Sequence, residues 1–295
     1  MTDQQEFLAQ RFEENRGHLR AVAYRMLGSL SEAEDAVQEA WFRLARTDVS
    51  EVANLGGWLT TVVSRVCLDL LRSRTSRRED SLDAREAWLP DPVVERPDAD
   101  PERSAVEVDS IGLAMLVVLD TLPPAERLAF VLHDMFAMPF DEIAVIVDKT
   151  PAATRQLASR ARKKVQADAP PKPDPDLGRQ RKVVEAFLAA ARGGDFEALV
   201  NVLDPSVSMR VDSGAGVLRL IRGAADVGAQ AFMFRKMAPM GRIAVINGQM
   251  GIFARLDGKP VTAMAFTVGE NGKVLDIQVF GDMERLAALD LPDFD

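Results

Sequence analysis

The amino-acid sequence predicts a multidomain chain in which two all-α units precede a C-terminal α+β domain. Three observations carry this expectation. Apolar residues recur at helical spacing through residues 1–78 and again from about Ile111 to Ala167. Later the pattern changes to two helices, at about 179–192 and 195–203, followed by short alternating runs: VSMRV, RIAVING, GIFARL, VTAMAFTV and VLDIQVF. Turn pairs such as Asp257-Gly258 and Asn271-Gly272 separate these runs, as in an antiparallel meander. Between the blocks lie two breaks. Residues 79–109 hold eleven acids against three arginines, with Pro90, Pro92, Pro97 and Pro101, so self-repulsion and proline both oppose helix there. Residues 168–178 carry four prolines and read as a hinge. The expected segments are therefore 1–78, 79–109, 110–167, 168–178 and 179–295.

Composition narrows the function classes. At 295 residues and 47% apolar content the chain builds large cores. A single cysteine, Cys67, rules out a disulfide framework and a cysteine-rich zinc site, and two histidines, His18 and His133, leave little for a metal centre. No metal and no cofactor are expected. No apolar run nears the roughly 20 residues of a membrane span. The start, MTDQQEFLAQRFEENRG, lacks a basic-then-apolar secretion signal. A soluble chain of the reducing cytoplasm, without a membrane partner, is expected. The net charge of −9 argues against nucleic acid only until its distribution is read. Residues 64–78 hold five arginines against one aspartate, and 149–164 hold six basic residues and no acid.

In SLSEAEDAVQEAWFRLAR, residues 29–46, Ser31 and Glu34 make a capping box that starts a helix. Ala33, Ala36, Val37, Ala40, Trp41 and Leu44 form its core face, and Glu32, Asp35, Gln38, Glu39 and Phe42 the other. That face is either a solvated acidic surface or a contact for a basic partner helix. In GWLTTVVSRVCLDLLRSRTSRR, residues 57–78, a broad apolar face runs from Trp58 to Leu71 and includes Cys67 as a small core residue. Thr61, Arg65, Asp69 and Arg72 lie opposite. Arg72, Arg74, Arg77 and Arg78 then make a positive end, suited equally to a solvated terminus and to phosphate.

In residues 122–165 a helix from about Pro124 to Asp134 precedes a short helix through Ile143 and Val147. The turn Asp148-Lys149-Thr150 then opens a last helix with Thr150 as N-cap and Pro151 at its first position. Leu157, Ala158, Ala161 and Val165 face inward; Arg155, Gln156, Ser159, Arg162 and Lys163 face outward, with Arg160 at the margin. A short helix, a tight turn and a basic helix rich in base-reading side chains predict a helix-turn-helix; an ordinary helical hairpin is the plainer alternative. His133 reads as a packed or capping residue.

Two DNA-reading candidates joined by an acidic linker resemble the two domains of an extracytoplasmic-function sigma factor, the promoter-recognition subunit of bacterial RNA polymerase. The matching residues are AEDAVQEAWFRL, GWLTTVVSRVCLDLLRS, PPAERLAFVLHDMFAMPFDEIA and ATRQLASRARK. The resemblance implies that Asp35, Gln38, Glu39 and Phe42 dock on the clamp helices of the β′ subunit, and that the second helical domain meets the flap of the β subunit. It implies that Asn54, Trp58, Arg65, Asp69 and Arg72 serve the −10 element. Thr150, Arg155, Gln156, Ser159 and Arg162 serve the −35 element, with Arg160 and Lys163 on phosphate. Asp148 stands where the motif usually has glycine, and aspartate tolerates the left-handed conformation that this turn needs.

Residues 179–290 resemble a SnoaL-like domain, an NTF2-like cone of helices on a curved antiparallel sheet. VVEAFLAAARGGDFEALVNVLDPSVSMRVDSG, Arg222-Gly223 and GKVLDIQVF carry this likeness. Sigma factors with this extension form a subgroup, whose linker motif WLPDP at 88–92 resembles. The subgroup's glycine-rich loop reads Asp212-Ser213-Gly214-Ala215-Gly216 here, with Val217 in place of lysine, and its ending reads GDMERL at 281–286. Trp88, Leu89 and Pro90, with Asp212, are the expected regulatory docking residues; the plainer alternative is a buried tryptophan that merely pins the linker. The domain has no histidine, tyrosine or cysteine, so Asp212, Asp226, Asp257 and Asp276 have no phenol to help hold an oxyanion, and no catalysis is expected. Phe232, Phe234, Met237, Phe253, Met264 and Phe266 are either core or the lining of a pocket for a small ligand of unknown identity.

The expected function is an alternative sigma factor that binds core RNA polymerase and promoter DNA, modulated by its own C-terminal domain. Two other classes compete. A polymerase-independent, ligand-sensing helix-turn-helix regulator needs no acidic stripe at 32–42 and binds operator DNA alone. A fused isomerase or cyclase turns over a polyketide-like or steroid-like substrate.

Overall fold

The structure is a computed structural model that describes residues 3–47, 52, 54–80, 89–98, 112–214, 218–233 and 235–294. The chain divides into two compact units. One takes in residues 1–83, 106–108 and 116–169; the other takes in 84–105, 109–115 and 170–295.

The first unit is helical: α1 (Asp3–Leu27), α2 (Leu30–Arg46), α3 (Leu55–Asp80), most of α4 (Leu113–Asp120), α5 (Pro124–Phe130), α6 (Phe140–Val147) and α7 (Pro151–Ala167). Helix α5 runs on through a π-helical turn, Val131–Met135. Gly28, at φ 71°, ends α1 in the left-handed conformation that costs glycine nothing. Ser29, extended at φ −120°, ψ 130°, then caps α2 by accepting from the Glu32 amide. The N-cap is thus Ser29, two residues before the expected Ser31, because the glycine stop sets where α2 begins. Leu19, Val22, Tyr24, Met26, Leu44, Leu59, Val63 and Leu68 are among the residues that fill the core of the first three helices. Cys67 is buried there, and burial pushes its thiol pKa far up, so it packs as a small apolar residue.

The last carbonyls of α1 lack intrahelical donors. Arg74 donates to the Leu27 carbonyl at 3.1 Å and Arg127, from α5, to that of Met26 at 2.8 Å. Arg127 is 4% exposed and also bonds Asp120 at 2.7 Å. Arg25 lies over the Phe136 ring at 4.6 Å. Arginines thus satisfy one helix end while joining the two helical domains.

The second unit contains α8 (Leu177–Gly193), α9 (Phe196–Val202), α10 (Ala224–Met233), α11 (Met283–Ala287) and one mixed sheet. Its strands are β1 (Val94–Glu95), β2 (Leu203–Asp212), β3 (Leu218–Arg222), β4 (Gly241–Ile246), β5 (Gln249–Leu256), β6 (Lys259–Val268) and β7 (Val274–Phe280), in the order β1-β4-β5-β6-β7-β2-β3. The meander from β4 to β7 is antiparallel as expected, with Asn247-Gly248 and Asp257-Gly258 at positive φ in its two tightest turns. Strand β2 corrects the expectation of an all-antiparallel sheet, since it pairs parallel with β7. Strand β3 and helix α10 were not anticipated. Both follow the Asp212 loop, where no alternation long enough for a strand is visible. Register shifts in the pairings of β5 with β6, β6 with β7 and β2 with β7 curve the sheet. One face of it packs Met209, Ile252, Phe266 and Ile277 against Phe187 of α8, Leu199 of α9 and Val227 of α10. Gly251 is required on β5, where a Cβ would come within 2.4 Å of the Met264 carbonyl oxygen.

Both proline-bearing breaks are partly built into this unit, which corrects the expected segment boundaries. Val94 and Glu95 pair with Ile246 and Val245 at the sheet edge, so the middle of the 79–109 segment is the first strand of the C-terminal domain. At the hinge, the Asp174 amide donates to the Val268 carbonyl at 2.7 Å. Asp174 is 2% exposed and accepts both Arg179 Nε at 2.7 Å and Nη2 at 2.6 Å. Hydrogen bonds from the Arg179 side chain hold its carboxyl below the usual carboxylate range. Only the start of 168–178 lies outside these contacts.

Candidate nucleic-acid interface

Helix α2 buries Ala33, Ala36, Val37, Ala40 and Leu44. Asp35 and Gln38 are exposed on the opposite side, Glu39 is half-buried and bonds Arg43 at 2.9 Å, and Phe42 is 45% exposed. Glu32 departs from this stripe, because it pairs with Arg74. Neither member of that pair is presented to a partner as the sequence suggested: Arg74 turns back onto the module instead of extending the positive end of α3. Glu34, on the flank, binds Arg16 at 3.3 Å and Arg20 at 2.9 Å from α1.

On α3, Asn54 accepts from the Gly57 amide at 2.9 Å and so caps the helix. Trp58 is half-buried. Arg65, Asp69 and Arg72 are exposed one turn apart, and Arg72 lies 3.9 Å from Asp69. The Arg65 guanidinium donates to the Val145 carbonyl of α6 at 3.1 Å. The side chains of Arg77 and Arg78 lie outside the described residues.

The helix-turn-helix is formed by α6 and α7. Asp148 adopts the left-handed conformation, φ 55°, ψ 54°, so the turn survives without glycine. The Thr150 hydroxyl caps α7, accepting from the Ala153 amide at 3.2 Å. Thr154, Leu157, Ala158, Ala161 and Val165 are buried. Arg155, Gln156, Ser159, Arg160 and Lys163 are exposed and Arg162 is half-exposed. Arg160 bonds Glu126 at 2.6 Å and Arg162 bonds Asp134 at 2.6 Å. Two of the basic charges thus lean on acids of α5 and its π-turn, leaving Arg155, Gln156, Ser159 and Lys163 as the groups presented outward. His133 is packed, as expected: its Nδ1 is 3.0 Å from the Met138 carbonyl and its ring stacks on Phe140.

In the second unit, the wholly buried Leu89 donates its amide to Asp212 Oδ2 at 2.8 Å. Pro90 is buried beside it. Arg285 donates to the Leu89 carbonyl at 3.0 Å, to Asp212 at 3.3 Å and to Asp91. The Val93 amide donates to Asn247 Oδ1 at 3.0 Å, and the Asn247 amide donates to the Val93 carbonyl at 2.9 Å. Sequence reasoning singled out Leu89, Pro90 and Asp212 but missed Arg285, Asp91 and Asn247; only the GDMERL segment pointed towards the first. Trp88 lies outside the described residues.

The six residues read as either core or pocket lining divide between the two. Of them only Met237 and Met264 line a cavity. Phe253 and Phe266 are buried in the sheet, Phe232 packs edge-on against Phe196, and Phe234 lies outside the described residues. Of the four carboxylates, Asp226 and Asp257 are exposed, and Asp212 and Asp276 are buried. Asp276 accepts from Ser208, Gln278 and, at 3.2 Å, Arg210; burial nevertheless raises its pKa above the ordinary carboxylate value. Among the described residues no group of His, Cys, Asp and Glu is arranged to hold a metal, and no helix is long and apolar enough to cross a membrane.

Two helical domains, the second a helix-turn-helix, followed by a curved-sheet domain define a multidomain DNA-binding transcription factor. Residues 11–77 match the Sigma-70 region 2 family and residues 113–165 the Sigma-70 region 4 family. The chain is 42% identical over 252 residues to the ECF RNA polymerase sigma factor SigJ of Mycobacterium tuberculosis, spanning 82% of this chain and 79% of that one. It is 35% identical over 268 residues to the probable ECF sigma factor SigI of the same species, spanning 90% of each chain. The crystal structure of M. tuberculosis SigJ superposes with a TM-score of 0.75, at 35% identity, over 96% of this chain and all of that one. The chain belongs to the extracytoplasmic-function sigma factors: it is an alternative sigma factor for transcription initiation, with a SnoaL-like C-terminal domain, in a family that is not enzymatic.

Proposed function

We propose that the protein recruits core RNA polymerase through the exposed face of α2 and positions it on promoters through α3 and α7, under the control of its own C-terminal domain. Asp35, Gln38, Glu39 and Phe42 dock on the clamp helices of the β′ subunit, where the acidic groups steer a basic partner and Phe42 buries its ring. Trp58, Arg65, Asp69 and Arg72 receive the −10 strand, with Asn54 fixing the start of α3. Arg155, Gln156 and Ser159 read −35 base edges, and Lys163, Arg160 and Arg162 hold phosphates, the last two after exchanging Glu126 and Asp134 for DNA. Thr150 orients α7, and the second helical domain meets the flap of the β subunit. The site of action is the cytoplasm. The observation that carries this reading is the pairing, in one unit, of an acidic stripe ending in an exposed phenylalanine with a recognition helix that presents base-reading side chains. The acidic stripe disfavours the polymerase-independent regulator, which has no use for it.

Docking of Leu89–Val94 on the C-terminal domain sets the reach of the linker and so the spacing of the two DNA-reading domains; the tether gives this docking a high effective concentration. Run-off transcription with bacterial core polymerase on a fragmented genomic library tests the whole proposal. Defined start sites that need the added protein are expected. Asp35→Lys with Glu39→Lys abolishes polymerase binding while circular dichroism stays unchanged; retained binding removes α2 as the docking face. Truncation after Ala169, at the boundary of the two units, changes promoter output; equal output from both forms sinks the regulatory role.

A further inference from the structure

Helix α5 does not end as an α-helix: it continues through the π-helical turn Val131–Met135. Ala137, just beyond it, holds φ 54°, a left-handed conformation that alanine adopts only at a cost. Irregular helix and strained backbone persist where the surrounding structure over-determines them, and both are frequent at functional sites. Two consecutive residues of the turn, His133 and Asp134, show what it holds. Each acts on a different arginine of the recognition helix α7.

The His133 ring stacks on Phe140 with centroids 3.8 Å apart, and its Nδ1 lies 3.0 Å from the Met138 carbonyl, so a stack and a hydrogen bond fix the imidazole. Phe140 in turn carries the Arg155 guanidinium over its ring, 5.6 Å from the centroid. The negative face of an aromatic ring attracts a cation within about 6 Å. A contact of this kind restrains the arginine while leaving its N–H donors available to a base edge. A side chain already held loses less rotamer freedom when it binds. Asp134 handles charge instead. It accepts from Arg162 Nε at 2.6 Å, and Arg162 lies two turns beyond Arg155 on the same face of α7. An arginine paired with a carboxylate adds less to phosphate attraction, the part of DNA binding that takes no account of sequence.

We propose that the π-turn is a positioning element for promoter reading: His133, through Phe140, aims Arg155 at a −35 base edge, and Asp134 damps the grip of Arg162 on phosphate. This role rests on the reading of α7 as the −35 helix. Neighbouring residues of one turn then set selectivity and strength of binding separately.

Holoenzyme reconstituted from the full chain and bacterial core polymerase, given a promoter library randomised across the −35 element, tests both actions. Arg155→Ala first identifies the base position that Arg155 reads, as the one whose preference it flattens. Phe140→Leu is expected to lower the preference at that position about fivefold, with the dependence of log affinity on log salt unchanged. Phe140→Tyr, which keeps the ring, retains the preference. His133→Leu leaves the ring unclamped and lowers it about twofold. Asp134→Asn does the reverse: affinity rises on every sequence, the salt dependence steepens by about 0.9, and base preference stays as it was. Unchanged preference in Phe140→Leu or His133→Leu overturns the aiming of Arg155, and an unchanged salt dependence in Asp134→Asn overturns the damping of Arg162. An equal loss of preference at every position, tracking a lowered thermal midpoint, makes the turn merely structural and also overturns its role. If Arg155→Ala flattens its position and Phe140→Leu does not, the role of the π-turn alone fails. If Arg155→Ala flattens nothing, Arg155 is not a base reader and both readings fail.

Discussion

Two arginines do the same topological task in the two units, and their surroundings make them opposites. Arg127 joins segments 101 residues apart through the Met26 carbonyl, and Arg285 joins segments 196 residues apart through the Leu89 carbonyl. Arg127 ends on a helix terminus, among packed helices, with the single carboxylate of Asp120 behind it. Arg285 ends on an extended strap and is shared by two buried carboxylates, Asp91 and Asp212. The first arrangement locks a module because a buried arginine bridges a helix end and a carboxylate within packed helices. The second rests on charge and hydrogen bonds shared between one arginine, two carboxylates and an extended strap, so losing one partner leaves the others to adjust.

The contrast breaks most sharply at Arg127. Arg127→Met leaves the Met26 carbonyl without its donor and is expected to cost the helical unit about 3 kcal/mol, read as a lower urea midpoint by far-UV circular dichroism. A loss below about 1 kcal/mol would make the contact no more than an ordinary hydrogen bond. Arg285→Met is next. Removing a charged hydrogen-bond partner is worth about 1.5–3 kcal/mol, so the Leu89 and Val93 amides are expected to exchange about ten- to a hundredfold faster, with the unfolding midpoint of the helical unit unmoved. If that midpoint falls instead, the two anchors are not independent.

A smaller effect sharpens the picture of the second unit. Burial raises the pKa of Asp276, so the folded state binds its proton more tightly than the unfolded chain. This group therefore contributes stability at pH below its unfolded value, near 3.8, and loses it as pH rises through the raised value. Asp276→Asn keeps the Oδ1 acceptor for Ser208 and Arg210 and, once the Gln278 amide turns over, donates to its Oε1, which has no partner among the described residues. A gain of about 1 kcal/mol is expected at neutral pH, shrinking as pH falls towards 4 in thermal melts. A loss at neutral pH would show that the Arg210 pair outweighs burial. The smallest effect is Asp148→Gly, which relieves a left-handed non-glycine residue and is expected to stabilise the helical unit by less than about 1 kcal/mol, without altering the second unit.

The candidate DNA-reading helix was legible in detail. Thr150 at the cap, Pro151 after it, the Leu157, Ala158, Ala161 and Val165 face and the left-handed Asp148 all follow from local rules that act within a few residues. The acidic stripe was legible as a face, but not the withdrawal of Glu32 and Arg74 into a pair, since 42 positions of sequence separate them. Core and cavity lining were both read for the same six residues, and the sequence did not tell which of them would be which. Alternation along a strand tells which residues share a face; curvature from register shifts decides which part of that face stays open.

By itself the sequence determined the class of each element, the helix-turn-helix, the resemblance to a sigma factor and the α+β nature of the C-terminal domain, because periodicity, capping and turn chemistry are short-range. Only the tertiary structure decided that Val94 and Glu95 are a strand of that domain, that β2 runs parallel to β7, and that Arg285, Asp91 and Asn247 receive the linker. Pairing of distant strands and sharing of a buried carboxylate depend on where the folded chain brings its parts together, and no local pattern encodes that distance.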